Sequence, residues 1–263
     1  MKLLESYAAL ACAELEYAHF NALRTSVTPD GSGIVISTND GVSVLSEPAK
    51  LFNPYYNRAV LAADFDGDVA ALIDLLPPGV QAVEVLLPQQ TDAVATALLE
   101  AGFVPGSSLC YLTAKPTETV TVGQRVERLT TDRCDEFLDQ IERCDAPFPD
   151  GVREMKRDFY CTEKFRCYIG YTEAGEAAAI ATLYISEKTK AGFFANSFTF
   201  PEHRCQGFHS ALLTARMNEV VELGLDHAFT DVEPATQSHQ NCERLGFRLL
   251  TANAIWKRVP TAV

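Results

Sequence analysis

Residues 3–23 carry an Ala-rich apolar pattern with helical period, which predicts a helix, and Thr28-Pro29-Asp30-Gly31-Ser32-Gly33 reads as a turn cluster behind it. Two β-prone runs, 33–38 and 42–45, flank Asn39-Asp40-Gly41, the signature of a tight hairpin. Residues 53–63 are irregular and then extended. A helix is predicted over 66–76, ended by Pro77-Pro78-Gly79. Next come a strand at 80–87, a helix at 91–101 and a strand at 109–112. Lys115-Pro116-Thr117-Glu118-Thr119 is polar and proline-marked, and it places a domain boundary between 1–118 and 119–263.

Beyond that boundary the pattern predicts a strand at 124–129. A helix capped by Thr130-Thr131-Asp132 then runs through Phe137, Leu138 and Ile141. Residues 144–151 form a loop, 153–160 a second helix, and 166–172 and 177–186 two strands. An aromatic strand follows, ending in Phe198-Thr199-Phe200, and Pro201 stops it. From Ser210 a helix passes through Ala211, Leu212, Ala215 and Met217. Between strand and helix lies Arg204-Cys205-Gln206-Gly207-Phe208-His209. A turn that delivers the chain into a helix in this way leaves backbone N–H groups unpaired at the positive end of the helix dipole, where an anion such as pyrophosphate can bind.

Pro201-x-x-Arg204-x-x-Gly207-x-His209, followed by Ala211-Leu212-Leu213, resembles the acetyl-CoA loop of the GNAT acyltransferases. His209 departs from that family's small residue at the end of the motif. A second stretch is similar to the family's C-terminal part. Thr230-Asp231-Val232-Glu233-Pro234 ends a strand, Ser238 to Gly246-Phe247 is a short helix closing on Leu-Gly-Phe, and Ile255-Trp256-Lys257-Arg258 is a strand. Leu-Gly-Phe is equally what a helix C-cap glycine with a core aromatic behind it looks like. The resemblance implies an α/β fold with a mixed sheet.

The Ala97-Leu98-Leu99-Glu100-Ala101-Gly102-Phe103 segment echoes Cys242 to Phe247 at an offset of 247 − 103 = 144 residues, a domain length rather than a short repeat. The first half is therefore expected to be another GNAT-like unit, in tandem with the second half. It has no phosphate loop, and Asp64, Asp66 and Asp68 at the corresponding place would repel pyrophosphate. It reads as a degenerate copy.

The resemblance assigns acetyl-CoA, as co-substrate, to Gln206, Gly207, Phe208, His209 and Ser210, with Arg204 near the phosphates and Phe198, Thr199 and Phe200 along the pantetheine arm. Asn241 either touches that arm or caps its helix. Acyl transfer to an amine needs a base. Strand alternation puts Phe229, Asp231 and Glu233 on one face, with Glu233 at the strand end as first candidate and Asp231 as second. Many family members carry a Tyr where this chain has Cys242, which stands either as an acid or acyl acceptor or as an inert core thiol. By analogy with the family's acceptor segment, Phe148, Asp150 and Tyr160 face the acceptor, in a cleft between the two halves; the same stretch reads equally as a surface loop pinned by one buried Phe.

The chain has 22 Lys and Arg against 35 Asp and Glu, so its net charge is −13, which argues against nucleic acid as a partner and is compatible with an amine substrate. Glu14 and Glu16 interrupt the apolar N-terminal pattern and rule out a signal-peptide core, and no run is long enough for a bilayer. The eight cysteines are scattered without Cys-x-x-Cys spacing, so neither a metal site nor a disulfide framework is expected, as in a reducing cytoplasm. The sequence reading is an acetyl-CoA-dependent N-acetyltransferase acting on a small molecule or peptide amine. Two alternatives are a non-catalytic acyl-CoA binder or sensor, and an interaction protein that has lost the coenzyme.

Overall fold

The computed structural model describes residues 2–27, 32–39, 41–62, 65, 73, 76, 79–115 and 117–259. The turn at 28–31, most of the helix expected over 66–76, Pro77-Pro78, and Asp64, Asp66 and Asp68 lie outside these residues.

Helix α1 (Lys2–Thr25) opens the chain. The hairpin β1 (Val35–Asn39) and β2 (Val42–Ser46) pairs antiparallel, and β2 pairs antiparallel with β3 (Arg58–Leu61). Strand β4 (Ala82–Leu86) runs parallel to β3. Helix α2 (Asp92–Glu100) is capped by Thr91, whose hydroxyl accepts from the Val94 N–H. It ends at Gly102, where φ is +80°, and delivers the fully buried Phe103 into β5 (Phe103–Ala114).

The second half repeats this plan. After β6 (Arg125–Leu129), α3 (Cys134–Cys144) and α4 (Val152–Lys156) come the antiparallel strands β7 (Phe165–Tyr171), β8 (Ala177–Ser186) and β9 (Ala191–Thr199). Helix α5 (Phe208–Glu222) leads to β10 (His227–Val232), parallel to β9. Helix α6 (Gln237–Arg244) ends at Gly246, φ +101°, and delivers the fully buried Phe247 before β11 (Arg248–Arg258).

The sheet order is β1-β2-β3-β4-β11-β5-β10-β9-β8-β7-β6, one sheet of eleven strands. Its centre is an exchange. β5, from the first half, pairs with β10, and β11, from the second, pairs with β4; β5 and β11 also pair with each other. Each half therefore takes the last strand of the other. Two register shifts in the β5–β11 pair, at Leu249/Thr251 and Ala254/Trp256, bend these long strands. Beside the second, the two backbones pass so closely that a Cβ at Gly106 would lie 2.7 Å from the Ile255 carbonyl oxygen.

Helix α1 binds the two halves from one side. Leu10, Ala13 and Tyr17 join Phe137, Phe165, Tyr184 and Phe193 in one core, while Ala18 and Ala22 join Ile34, Leu45 and Tyr56 in another. The spacing 10, 13, 17 is the helical repeat that the sequence pattern implies. On the opposite side α5 packs so tightly that a Cβ at Gly192 would meet Val220 at 2.6 Å.

Several elements depart from the sequence expectation. The helix expected over 153–160 stops at Lys156, and Cys161 takes φ +56°, because Tyr160 is drawn into the core beneath Arg24. Helix α5 starts at Phe208 rather than Ser210, since the Phe208 ring packs inward near Gly170. The strands expected at 109–112 and 255–258 are β5 and β11, twelve and eleven residues long, because they pair with each other from end to end.

Candidate active site

The parallel pairing of β9 and β10 runs from Ala191↔His227 to Phe194↔Thr230 and then stops. Past it, Asp231 and Val232 pair with Tyr111 and Cys110 of β5, while residues 195–199 pair with β8. The two strands thus separate and open a wedge in the sheet. A bulge sits at the opening: β8 runs from Ile180 to Thr182 while β9 runs from Phe198 to Ala195, and Asn196 has φ +48°.

Arg216 of α5 holds that bulge from beneath. It is 1% exposed and donates to the carbonyls of Leu212, Thr182 and Ala195 and to the Ser197 hydroxyl, with its guanidinium 4.7 Å from the Phe194 ring centroid. Burial pulls its pKa down to about 10, still protonated at neutral pH. The sequence reading passed over Arg216; the signal for it was an arginine one turn after Leu212 on the apolar face of the helix.

At the mouth of the wedge the chain turns into α5 through Cys205 (φ +60°) and Gly207 (φ +85°), which precedes the helix with no side-chain cap. None of the backbone N–H groups from Cys205 to Ser210 meets an acceptor among the described residues; the first helical bond runs from Ala211 N–H to the Gly207 carbonyl. Six open donors at the N-terminus of a fifteen-residue helix make an anion cradle. Gln124 and Gln206 fasten it, donating to the carbonyls of Gln206 and Glu202.

Of the other predicted coenzyme residues, exposed Arg204 donates to the Thr199 carbonyl at 3.3 Å. Phe200 gives its N–H to Ala178, so alternation turns the Thr199 N–H away from β8, toward the opening. The Thr199 hydroxyl is buried without a partner, an orphan at the place where a polar arm would lie. Phe198 stacks edge-on with Phe200. The Phe208 ring is buried, so its share in the cradle is its N–H. His209 turns to α6, where the Asn241 amide donates to its Nδ1 at 3.0 Å, which leaves the ring proton on Nε2. Burial, then the charge of Arg216, lowers its pKa to about 4, so the ring is neutral.

The wedge leads to a cavity of about 420 Å³ between the two halves. The second half contributes Phe193, Ala195, Asn196, Asp231 and Lys257; the first contributes Glu14, Tyr17, Tyr55, Arg58, Glu84 and Tyr111. Asp231 has no side-chain donor among the described residues; burial, then the backbone N–H that opposes it and the neighbouring Glu84 charge, leaves its pKa raised. Glu233, by contrast, is exposed beyond the end of β10 and outside the cavity wall. Cys242 is 1% exposed in the core with Phe194 and Phe247, and burial pushes its thiol up to about 11.

The predicted acceptor residues Phe148, Asp150 and Tyr160 are not in this wall. Asp150 is exposed, Phe148 packs half-buried against the core, and the Tyr160 hydroxyl meets Arg24. In their place the wall is built largely from the first half, on Glu14, Arg58, Glu84 and Tyr111. The charged residues among these stand inside apolar runs of the sequence, as in Val83-Glu84-Val85, and that was the available signal. Among the described residues one trio, Glu176, Glu202 and His203, brings metal-ligating atoms within 4.8 Å of one another, apart from the cavity; Glu202 is also paired with Arg143 at 2.5 Å.

Residues 135–247 match the Acetyltransferase (GNAT) family. The matched segment lies within the second half, the half that holds the cradle. Over nearly its whole length it shares the fold of a GCN5-related N-acetyltransferase from Kribbella flavida, at 15% identity, 95% of this chain and 96% of that one, with a TM-score of 0.62. A GCN5-related N-acetyltransferase from Sphaerobacter thermophilus aligns over 86% of this chain and 84% of its own at 11% identity and TM-score 0.57. A tandem GNAT protein from the clavulanic acid biosynthesis pathway aligns over 95% and 96% at 11% identity and TM-score 0.53. No curated protein matches the chain. No helix among the described residues is long and apolar enough to cross a membrane.

Proposed function

We propose that the protein moves an acetyl group from acetyl-CoA to an amine of a small molecule. The observation that carries this reading is the continuity of the six open N–H groups at α5, the wedge between β9 and β10, and the cavity holding Asp231. The diphosphate lies on the cradle, the pantetheine arm runs along residues 195–199, and the thioester enters the cavity beside Ala195.

Asp231 takes a proton from the acceptor ammonium. A raised pKa makes a carboxylate a better base, and Asp231 lines the space where an amine would stand, with no side-chain donor on it among the described residues. The amine nitrogen then bonds to the acyl carbon, and backbone N–H groups turned into the opening, that of Thr199 among them, bind the oxyanion. The C–S bond breaks as the carbonyl re-forms, and the second proton, shed by the nitrogen as it becomes an amide, passes to the departing thiolate. A coenzyme thiolate, with a thiol pKa near about 8.5, leaves without a dedicated acid, which suits a site where Cys242 is sealed in the core.

Thermal melting with acetyl-CoA, free CoA and a nucleotide control tests the cradle. A hundredfold excess over the dissociation constant adds about 2.7 kcal/mol, several degrees of midpoint. No shift at saturating coenzyme would refute the reading, and a shift without thiol release for any amine would leave a coenzyme binder. Asp231→Asn should cut thiol release by about 10² or more with coenzyme binding intact. If Glu233→Gln instead gives the larger loss, the base is misassigned.

A further inference from the structure

The half without a phosphate loop supplies most of the charge in the cavity wall, and that charge does not balance. Three carboxylates, Glu14, Glu84 and Asp231, face the space together with one buried cation, Arg58; Lys257 stands at the exposed rim. Glu84 is engaged through both oxygens. Its Oε1 accepts from Tyr111 at 3.0 Å and Asn253 at 2.7 Å, and its Oε2 lies 3.3 Å from Arg58 Nε in an ion pair without hydrogen-bond alignment. Glu14, 6% exposed, spends one oxygen on Arg58, and its other oxygen meets no donor among the described residues. Asp231 likewise has no side-chain donor there. Two carboxylates that line one small space, one from α1 and one from β10, therefore each keep an oxygen without a side-chain donor among the described residues.

Glu14 and Glu84 share one buried cation, Arg58, and buried negative charge in such excess is unfavourable, whereas a second cation brought beside it recovers the interaction at short range. Asp231 is spoken for by the reacting amine. Glu14 is not. The walls between them are aromatic: Tyr17, Tyr55 and Tyr111 line the cavity, and the Arg58 guanidinium already lies 4.5 Å from the Tyr55 ring centroid, so these rings tolerate a cation on their faces. A space of about 420 Å³ suits a small molecule rather than a folded protein surface.

We infer that the acceptor carries a second cationic nitrogen besides the one acylated, and that Glu14 of the first half binds it while the reacting amine stands at Asp231. This rests on the amine-acylation reading above. It gives the first half a role: it selects the acceptor, while the second half binds the coenzyme.

The test compares short α,ω-diamines of graded chain length with the n-alkylamines and ω-amino alcohols of matching length. Thiol release is measured at saturating acetyl-CoA, and binding of the same amines by calorimetry with free CoA present. The best diamine is expected to exceed its monoamine and its amino alcohol in kcat/KM by about tenfold or more, the contribution of one hydrogen bond to a charged group. Glu14→Gln is expected to reduce that ratio toward unity.

Equal kcat/KM for diamine and monoamine across the series overturns the inference and leaves amine acylation standing. A diamine preference that survives Glu14→Gln overturns the assignment to Glu14. Preferential diamine binding with no thiol release from any amine upholds the cation seat and refutes acyl transfer. The comparison among amines needs no variant, so it holds even where Glu14→Gln, which weakens the pairing of Arg58, fails to fold.

Discussion

Asp231, the proposed base, illustrates how a functional group can be maintained against stability. Its pKa is raised in the folded protein, first by burial. Between the ordinary and the raised value the native state binds more protons than the unfolded chain, so this residue's contribution to stability falls as pH rises through that window. Asp231→Asn should therefore raise the melting midpoint at neutral pH while abolishing turnover, and the gain should fade below the ordinary carboxylate range. A variant that melts lower at neutral pH would show that Asp231 is held by a partner rather than desolvated. His209 has the opposite sign. Its folded pKa, about 4, lies below the ordinary 6.5, so its contribution is present above 6.5 and is lost as pH falls toward 4. Melting curves across that interval should show acid destabilisation that flattens in His209→Leu; an unchanged slope would assign it to other groups.

At the scale of elements, two glycines are constrained for different reasons. Gly207 needs its backbone conformation: φ is +85°, yet a Cβ there would find nothing nearer than Gln124 at 3.9 Å. Gly207→Val should strain the turn by roughly 1–2 kcal/mol and abolish the acetyl-CoA melting shift without unfolding the protein. Retained coenzyme affinity would mean that the cradle lies elsewhere. Gly192 needs space, because Val220 would stand 2.6 Å from its Cβ. Gly192→Ala should lose about 1–3 kcal/mol in denaturant unfolding by pushing α5 off β9. Unchanged stability would mean that the helix moves freely there. The two helix ends at Gly102-Phe103 and Gly246-Phe247 were legible in sequence, as were α1, α2 and α3, because local periodicity and capping fix such elements. The lengths of β5 and β11 were not, since a strand's length is set by the partners it finds.

On the scale of the whole molecule, the exchanged strands make the halves interdependent. With the boundary taken at 118/119, the second half alone would lack β5 beside β10 and would leave β11 without β4, and its core would miss Leu10, Ala13 and Tyr17 of α1. Residues 119–263 expressed alone should therefore be insoluble or self-associated through the bared strand edges, while co-expression with 1–118 should restore a soluble complex whose melting responds to acetyl-CoA. A monomeric, cooperatively folding 119–263 would contradict this.

Legible in the sequence alone were the likeness of the second half to the GNAT family, the strand-turn-helix at Arg204 to Ser210, the repeat of the plan 144 residues apart, and Asp231 as one of two candidate bases. All of these are local: a turn, a cap, a strand's alternation, a short motif. Only the tertiary structure decided which acid faces the cavity, because Asp231 and Glu233 share a strand face and differ only in where β10 loses its neighbour β9. It likewise decided that the wall of this cavity contains Glu14, Arg58, Glu84 and Tyr111 and not Phe148, Asp150 and Tyr160. Those four stand far apart along the chain, and the strand exchange that brings them opposite Asp231 is a matter of long-range pairing, which leaves no periodic mark in any one segment.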